Sequence, residues 1–62
     1  SDSAVIESFI DTVIAQNPDE VSRYRSGEKQ LIGFFMGQLM KVSGGKADPK
    51  AANGLLRQKL EN

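Results

Sequence analysis

The sequence predicts an all-α fold: a small, compact bundle of three to four helices. Apolar residues recur at helical spacing in successive segments, no stretch alternates polar and apolar residues as a strand would, and the predicted loops are short. A chain of 62 residues can form one domain at most. We therefore expect a single helical domain over residues 1–62, monomeric in isolation. Because the sequence begins with Ser1 and not Met, we also expect a fragment of a longer protein.

The first two helices are predicted from an apolar stripe and from capping residues. In the first segment, apolar doublets repeat every four residues and form one broad stripe, made of Val5, Ile6, Phe9, Ile10, Val13 and Ile14. In the second, Asn17 is expected to cap the helix and Pro18 to occupy its first position. Val21 and Tyr24 are its apolar anchors, and Gly27 can end it in a left-handed conformation.

A third helix is predicted from about Glu28 to Ser43, and a fourth begins after Asp48. On a helical wheel, the core side of the third helix consists of Leu31, Ile32, Phe35, Leu39 and Val42, with Met36 and Met40 at its edge as core filler. For the fourth helix, Asp48 is the expected cap and Pro49 the first helical residue. Its apolar stripe is Ala51, Ala52, Leu55, Leu56 and Leu60.

Gly33 and Gly37 lie one turn apart inside the third helix, nearly opposite its apolar side. A glycine in a helix interior costs about 1 kcal/mol relative to alanine, so two of them need a reason. One explanation is that another helix of the bundle crosses there, because small residues let backbones approach closely. The other is that a phosphate backbone or a partner helix approaches from outside. The spacing leaves both open.

The charges indicate a possible polyanion partner. Residues 1–28 carry six acidic and two basic residues, and residues 29–62 carry six basic and two acidic ones. Mutual attraction of the two halves, or ordinary solvated lysines, would also explain this division. The candidate anion-binding residues are Lys41 beside the glycines, Gly44, Gly45 and Lys46 in the turn, and Lys50, Asn53 and Arg57 on one face of the fourth helix. The turn is not a Walker loop, and Asp48 would repel a phosphate.

Catalytic and metal-binding functions have little support in the composition. The chain has no Cys and no His, which excludes disulfides, thiolate chemistry, Cys/His zinc sites and a histidine base. No carboxylate pair is singled out, and we interpret Asp19, Glu20 and Glu28 as solvated rather than metal-binding. No apolar run approaches the roughly 20 residues of a membrane helix, and no signal-peptide pattern is found. We therefore predict no catalytic residue, metal site or membrane partner in this chain.

From Val13 to Leu60 the sequence closely resembles the GatB/YqeY tail domain family, the C-terminal tail of the B subunit of the tRNA-dependent Asp/Glu amidotransferase. The motifs that carry the resemblance are "NP" at Asn17–Pro18, "YRSG" at Tyr24–Gly27, "GFFMGQLMK" at Gly33–Lys41, "GGKADP" at Gly44–Pro49 and "LLRQKL" at Leu55–Leu60. They occur in the family's order and spacing. One departure is Gly54, where the family usually carries a larger residue, and this bears on the stability of the last helix.

The resemblance implies an all-helical, non-catalytic domain that contacts the tRNA body. Its parent would be an ATP-dependent carbon–nitrogen ligase that converts Glu-tRNA(Gln) to Gln-tRNA(Gln), or Asp-tRNA(Asn) to Asn-tRNA(Asn). ATP and magnesium would serve the catalytic core, and the A and C subunits would be partners through the parent, in the cytoplasm of a bacterium or in an organelle. The tRNA contacts would then be Lys41, Lys46, Lys50, Asn53, Arg57 and the glycines Gly33, Gly37, Gly44 and Gly45. A small protein-interaction module without RNA binding is the alternative.

Overall fold

Four α-helices and one short 3₁₀ turn make up the part of the chain, residues 3–62, that the computed structural model describes. In chain order they are α1 (Ser3–Gln16), α2 (Pro18–Arg25), the 3₁₀ turn (Lys29–Leu31), α3 (Ile32–Val42) and α4 (Pro49–Leu60). Residues 3–62 contain no strand, so the predicted all-α fold is confirmed. The third helix was predicted to start near Glu28, but the chain first forms the separate 3₁₀ turn, and α3 begins at Ile32.

The core lies where α1, α3 and α4 pack against one another, with α2 against α1 and α4. All four helices contribute to it. Its buried residues are Ile6, Ile10, Val13, Val21, Tyr24, Phe35, Leu39, Ala47, Ala52, Leu56 and Leu60. The Cα radius of gyration is 10.5 Å, and a folded chain of this length is expected at about 10.5 Å. No buried side-chain nitrogen or oxygen in residues 3–62 lacks a hydrogen-bond partner. The described residues therefore form a self-contained bundle.

The predicted apolar stripes face this core, but two of their members do not. On α1, Ile6, Ile10 and Val13 are buried, whereas Val5 is 49% exposed. The doublet pattern is wider than the surface that α3 and α4 cover, so its outermost residue faces solvent. Ala51 of α4 is also exposed, while Ala52 beside it is buried. On α3 the wheel is confirmed: Phe35 and Leu39 are buried, and the remaining predicted core residues, Leu31, Ile32, Val42, Met36 and Met40, pack against the core.

The two predicted helix caps have different outcomes. The Asp48 carboxylate accepts a hydrogen bond from the Ala51 backbone N–H at 3.2 Å, so it caps α4 as predicted. Asn17 occupies the N-cap position of α2, but its side chain makes no capping hydrogen bond there. Instead, its Nδ2 donates to the Val13 carbonyl at 2.8 Å and so satisfies the end of α1. The Asn17 side chain is therefore engaged by the end of α1, and the start of α2 has no side-chain cap.

The "YRSG" segment fastens the end of α2 to the end of α4. The buried Tyr24 hydroxyl donates to a Glu61 carboxylate oxygen at 2.9 Å. Arg25 Nε donates to the Leu60 carbonyl at 2.7 Å, which satisfies one of the last carbonyls of α4. Lys29 Nζ lies 4.4 Å from the centroid of the Tyr24 ring and 3.6 Å from Glu61. The contacts to Leu60 and Glu61 join residues more than 30 positions apart and fix α4 against the rest of the bundle.

Candidate nucleic-acid interface

Gly33 and Gly37 face open space. Both are exposed, and a Cβ atom built on either glycine meets nothing within 4 Å, the nearby backbone of α3 itself aside. The explanation that another helix of the bundle crosses at these glycines is therefore wrong for the described part of the chain. A strip of bare backbone on α3 stays open to whatever approaches from outside. Gly54 on α4 is open in the same way.

The eight basic residues divide into two groups once their partners are known. Five have a partner within the chain: Arg23 with Glu28, Arg25 with the Leu60 carbonyl, Lys29 with Glu61, Arg57 with Asn53, and Lys59 with Asp11. The other three are Lys41, Lys46 and Lys50. They are exposed and their side chains make no hydrogen bond or ion pair within residues 3–62. We call them the three free lysines.

This division also tests the idea that the acidic and basic halves attract each other. Among the described residues, one ion pair joins the two halves, Lys59 Nζ to Asp11 Oδ1 at 3.0 Å. The other two pairs, Arg23–Glu28 and Lys29–Glu61, each lie within one half. Asp2, which was counted in the acidic half, lies outside the described residues. Mutual attraction therefore accounts for one lysine and leaves the three free lysines without an internal role.

All three free lysines lie within ten residues, at the corner between α3 and α4. Lys41 is in the last turn of α3, Lys46 follows the turn, and Lys50 is in the first turn of α4. Gly44 and Gly45 shape this corner with φ values of +64° and +77°, which glycine adopts without strain. The corner thus presents three cations on a backbone bend that needs both glycines.

Four successive backbone amides of the corner, Gly44 to Ala47, donate within the chain and are not offered to a phosphate. The Gly45 N–H donates to the Met40 carbonyl at 2.7 Å, and the Gly44 N–H donates to the Lys41 carbonyl at 3.2 Å. Lys46 and Ala47 donate their N–H groups to Ser43, at 3.3 Å each. These amides end α3, so an anion at this corner would be held by lysine side chains. Direct RNA contacts at Gly44 and Gly45 stay a prediction.

Asn53 and Arg57, predicted as contacts on α4, bind each other. Arg57 Nε donates to Asn53 Oδ1 at 2.9 Å, across one turn of the helix. Arg57 is exposed and Asn53 half-buried. The pair orients the guanidinium and leaves it accessible, so both residues stay predicted contacts beside Lys50.

Phe34 is the residue that the sequence interpretation overlooked. It is 37% exposed and lies on the open side of α3 between the two glycines in sequence. The helical wheel carried the signal, because Phe34 falls outside the predicted core cluster. Residues 29–47 contain no Asp or Glu but three lysines. The sequence of α3 therefore carries no carboxylate, and the corner after it carries the three free lysines and one carboxylate, Asp48, which caps α4.

The perturbed ionisable groups of the chain serve the fold. Burial is the larger cause that raises the pKa of the Tyr24 phenol, and the hydrogen bond to Glu61 raises it further. The Tyr24 hydroxyl lowers the pKa of Glu61, with Lys29 adding to the effect. Asp11 raises the pKa of Lys59 through their hydrogen bond. Within residues 3–62, no three His, Cys, Asp or Glu side chains converge as a metal site would require. No helix in that range is long and apolar enough to cross a membrane.

The fold and this surface define a small all-α domain with a cationic corner. The chain belongs to the GatB domain family, whose model matches residues 1–60. It is 60% identical over 60 residues to the B subunit of the aspartyl/glutamyl-tRNA(Asn/Gln) amidotransferase of Thermosynechococcus vestitus, a match that covers 97% of this chain and 12% of that protein. The corresponding B subunits of Gloeothece citriformis and Halorhodospira halophila are 56% and 49% identical, each over 98% of this chain.

The chain spans 12% to 13% of the length of these bacterial relatives. No solved structure matches it significantly. The resemblance to the C-terminal tail domain of the amidotransferase B subunit, first seen in the sequence motifs, is confirmed by the family match and by the relatives.

Proposed function

We propose that this chain is a non-catalytic tail domain that helps to bind tRNA in a tRNA-dependent amidotransferase. The relatives' name specifies aspartyl/glutamyl-tRNA(Asn/Gln), so the parent would form Gln-tRNA(Gln), Asn-tRNA(Asn) or both from misacylated Glu-tRNA or Asp-tRNA. The observation that carries the proposal is the group of three free lysines beside the open glycine strip. These lysines lie close together and have no hydrogen-bond or ion-pair partner within residues 3–62, and they outnumber the one carboxylate at the corner, Asp48, which caps α4. Such a group suits a polyanion.

The expected contact is with the tRNA backbone. Folded RNA is recognised largely by its shape, through phosphates and 2′-hydroxyls. Three lysines neutralise at most about three phosphates, which gives weak and salt-dependent binding. Attached to its parent, the domain would act at a high effective concentration and add to the affinity of the other contacts. The tail would therefore strengthen and orient tRNA binding without being sufficient for it.

In this proposal the chemistry belongs to the rest of the parent enzyme. ATP and magnesium would bind its catalytic core, where ATP would activate the tRNA-borne carboxylate and the A subunit would supply ammonia. The A and C subunits would be partners of the parent. The residues of this chain would hold and orient tRNA at a distance from the reaction, so substitutions here are expected to change tRNA binding and spare the chemical step.

A protein-interaction module is the second candidate, and the exposed Phe34 ring is the observation that favours it. An apolar contact with another protein would depend weakly on salt, whereas phosphate contacts weaken steeply as salt rises. The absence of acidic residues from 29–47 makes RNA the better match to this face.

The proposal is tested in the parent amidotransferase with two variants of the tail domain that each remove three positive charges. The first is K41Q/K46Q/K50Q, which removes the three free lysines. The second, the paired control, is R23Q/K29Q/K59Q, which removes cations that have partners in the bundle. Exposed charge contacts contribute about 0.5–1 kcal/mol each, so the first variant should raise KM for misacylated tRNA roughly 10- to 100-fold, with kcat little changed.

The paired control should leave KM for tRNA close to that of the wild type. Equal KM values for the wild type and K41Q/K46Q/K50Q would refute tRNA binding by this surface. A rise of the same size in both variants would show that total charge matters and that the position of the lysines does not.

A further inference from the structure

Phe34 is an aromatic side chain held in place at the surface. Its ring meets the buried Phe35 ring edge to face, with centroids 5.3 Å apart and an interplanar angle of 74°. Phe35 in turn packs against Tyr24, with centroids 6.1 Å apart at 81°. The outer ring thus continues an aromatic row that begins in the core. Among residues 3–62, Val5 is the other large hydrophobic residue that stays exposed.

Two of the residues next to Phe34 on α3 are glycines. Gly37 lies three residues after Phe34 and Gly33 directly before it, and neither has a side chain to cover the ring. Lys41 lies seven residues after Phe34, which puts it two turns along the same side of the helix. A partly exposed aromatic ring, bare backbone and a free cation therefore share one side of α3.

The charge of this face indicates which ligand suits it. A partner protein would have to place an apolar group on Phe34 and a carboxylate opposite Lys41, whereas every nucleotide brings both complementary groups. Its base has a flat π-face and its phosphate a negative charge. Single-stranded and loop nucleotides are commonly held by aromatic stacking next to basic side chains. The segment from 29 to 47 contains no carboxylate, and of its three lysines Lys41 and Lys46 are free while Lys29 pairs with Glu61.

We propose that Phe34 is a stacking platform for an unpaired nucleobase of the bound RNA, with Lys41 on an adjacent phosphate. This inference rests on the proposed function and deepens it, because it assigns to α3 the recognition of an unpaired nucleotide in addition to backbone contact. Gly33 and Gly37 then give the base and its ribose the clearance they need. Phe34 is a binding residue in this account and has no part in catalysis.

The chain contains no Trp, so F34W introduces a single fluorescent reporter at the platform. The 62-residue F34W chain is titrated at low salt with a tRNA transcript. Stacking of a base on the indole should quench its fluorescence, in proportion to binding measured independently by anisotropy of labelled tRNA. The matched control is V5W, which places the same reporter at the other exposed apolar position, on α1. V5W should bind tRNA equally well and show no quenching.

Affinity measurements with F34Y and F34L separate stacking from apolar docking. F34Y keeps the ring and should bind tRNA as the wild type does. F34L keeps an apolar side chain but removes the π-face, and it should weaken binding about 5- to 100-fold. Thermal melting followed by circular dichroism checks that both variants are folded. A protein-docking role would tolerate leucine, so wild-type tRNA affinity in F34L together with an unquenched F34W would overturn the stacking proposal.

The two proposals fail in different ways. Suppose that the wild-type chain binds tRNA in a salt-dependent way, that F34L binds it with wild-type affinity and that F34W is not quenched. The lysine contacts then stand, and the stacking proposal is wrong. If the wild-type chain binds no tRNA even at low salt and K41Q/K46Q/K50Q leaves the KM of the parent enzyme for tRNA unchanged, the proposed function itself is refuted. If F34L binds tRNA normally but F34S loses a protein partner of the parent enzyme, α3 is a docking surface for that protein and the stacking proposal is wrong.

Discussion

The open glycine strip predicts that replacing Gly37 by alanine stabilises the domain and weakens its RNA binding. The structure supplies the magnitude. The added methyl group meets nothing within 4 Å, so packing neither gains nor loses. What remains is helix propensity, in which alanine exceeds glycine by about 0.8–1.0 kcal/mol. A domain of about 60 residues shifts its Tm by roughly 4–8 °C per kcal/mol. We therefore expect G37A, and likewise G33A, to melt up to about 8 °C above the wild type.

The assay is thermal unfolding followed by circular dichroism, in parallel with tRNA binding of the same samples. The control is G27A. Gly27 has a φ of +123°, which alanine rarely adopts, so this substitution should destabilise the domain by about 1–3 kcal/mol. G37A should bind tRNA more weakly even though it is more stable, because the methyl group obstructs close approach. A lower Tm for G37A would refute the reasoning, since overpacking against a covering element costs about 1–3 kcal/mol.

Four further predictions concern stability. F35A removes a fully buried ring and should cost about 3–5 kcal/mol, measured by urea unfolding; an unchanged free energy would contradict its place in the core. D48A removes the hydrogen bond to the Ala51 N–H and should cost about 0.5–2 kcal/mol, with D48N largely retaining the cap. Another prediction concerns pH, because burial raises the pKa of Tyr24 in the folded state. The stabilisation of the fold by this group is present below the unfolded pKa of about 10 and is lost as pH rises through the higher pKa of the folded state. Y24F should lack that alkaline loss; the same decline in both proteins would contradict it. The Tyr24 hydroxyl lowers the pKa of Glu61, so the Glu61 contribution is present above about pH 4.3 and is lost as pH falls through the lower folded value, and E61Q should lack that acid loss.

The helices were predictable because their signals are local. Apolar spacing indicated the inner side of α3, and Asp48 followed by Pro49 indicated the start of α4. Asn17 shows where local signals fail. Its sequence position suits a cap for α2, yet the side chain satisfies the Val13 carbonyl instead, a choice that depends on how α1 ends in space. The prediction that Val5 faces the core is wrong for a similar reason, because the width of the buried stripe on α1 depends on which helices cover it.

The candidate surface was predictable in part. The lysines and glycines could be found in the sequence, but the sequence could not tell free cations from paired ones. Lys59 and Lys41 look alike in the sequence, and only the fold places Asp11 against Lys59 and no described carboxylate against Lys41. The Tyr24–Glu61 hydrogen bond could not be predicted from the sequence either, because it joins residues 37 positions apart through the packing of α2 on α4. Phe34, in contrast, could have been found on the wheel.

The central claim is that the three free lysines bind the RNA backbone, and the salt dependence of tRNA binding tests it most directly. The dissociation constant of the 62-residue chain for a tRNA transcript is measured across a series of salt concentrations. Three phosphate contacts predict a slope of log Kobs against log salt of about −2 to −3 for the wild type. The slope should be near zero in K41Q/K46Q/K50Q and nearly unchanged in the paired control. A full slope in K41Q/K46Q/K50Q, or equal flattening in both variants, would contradict the account.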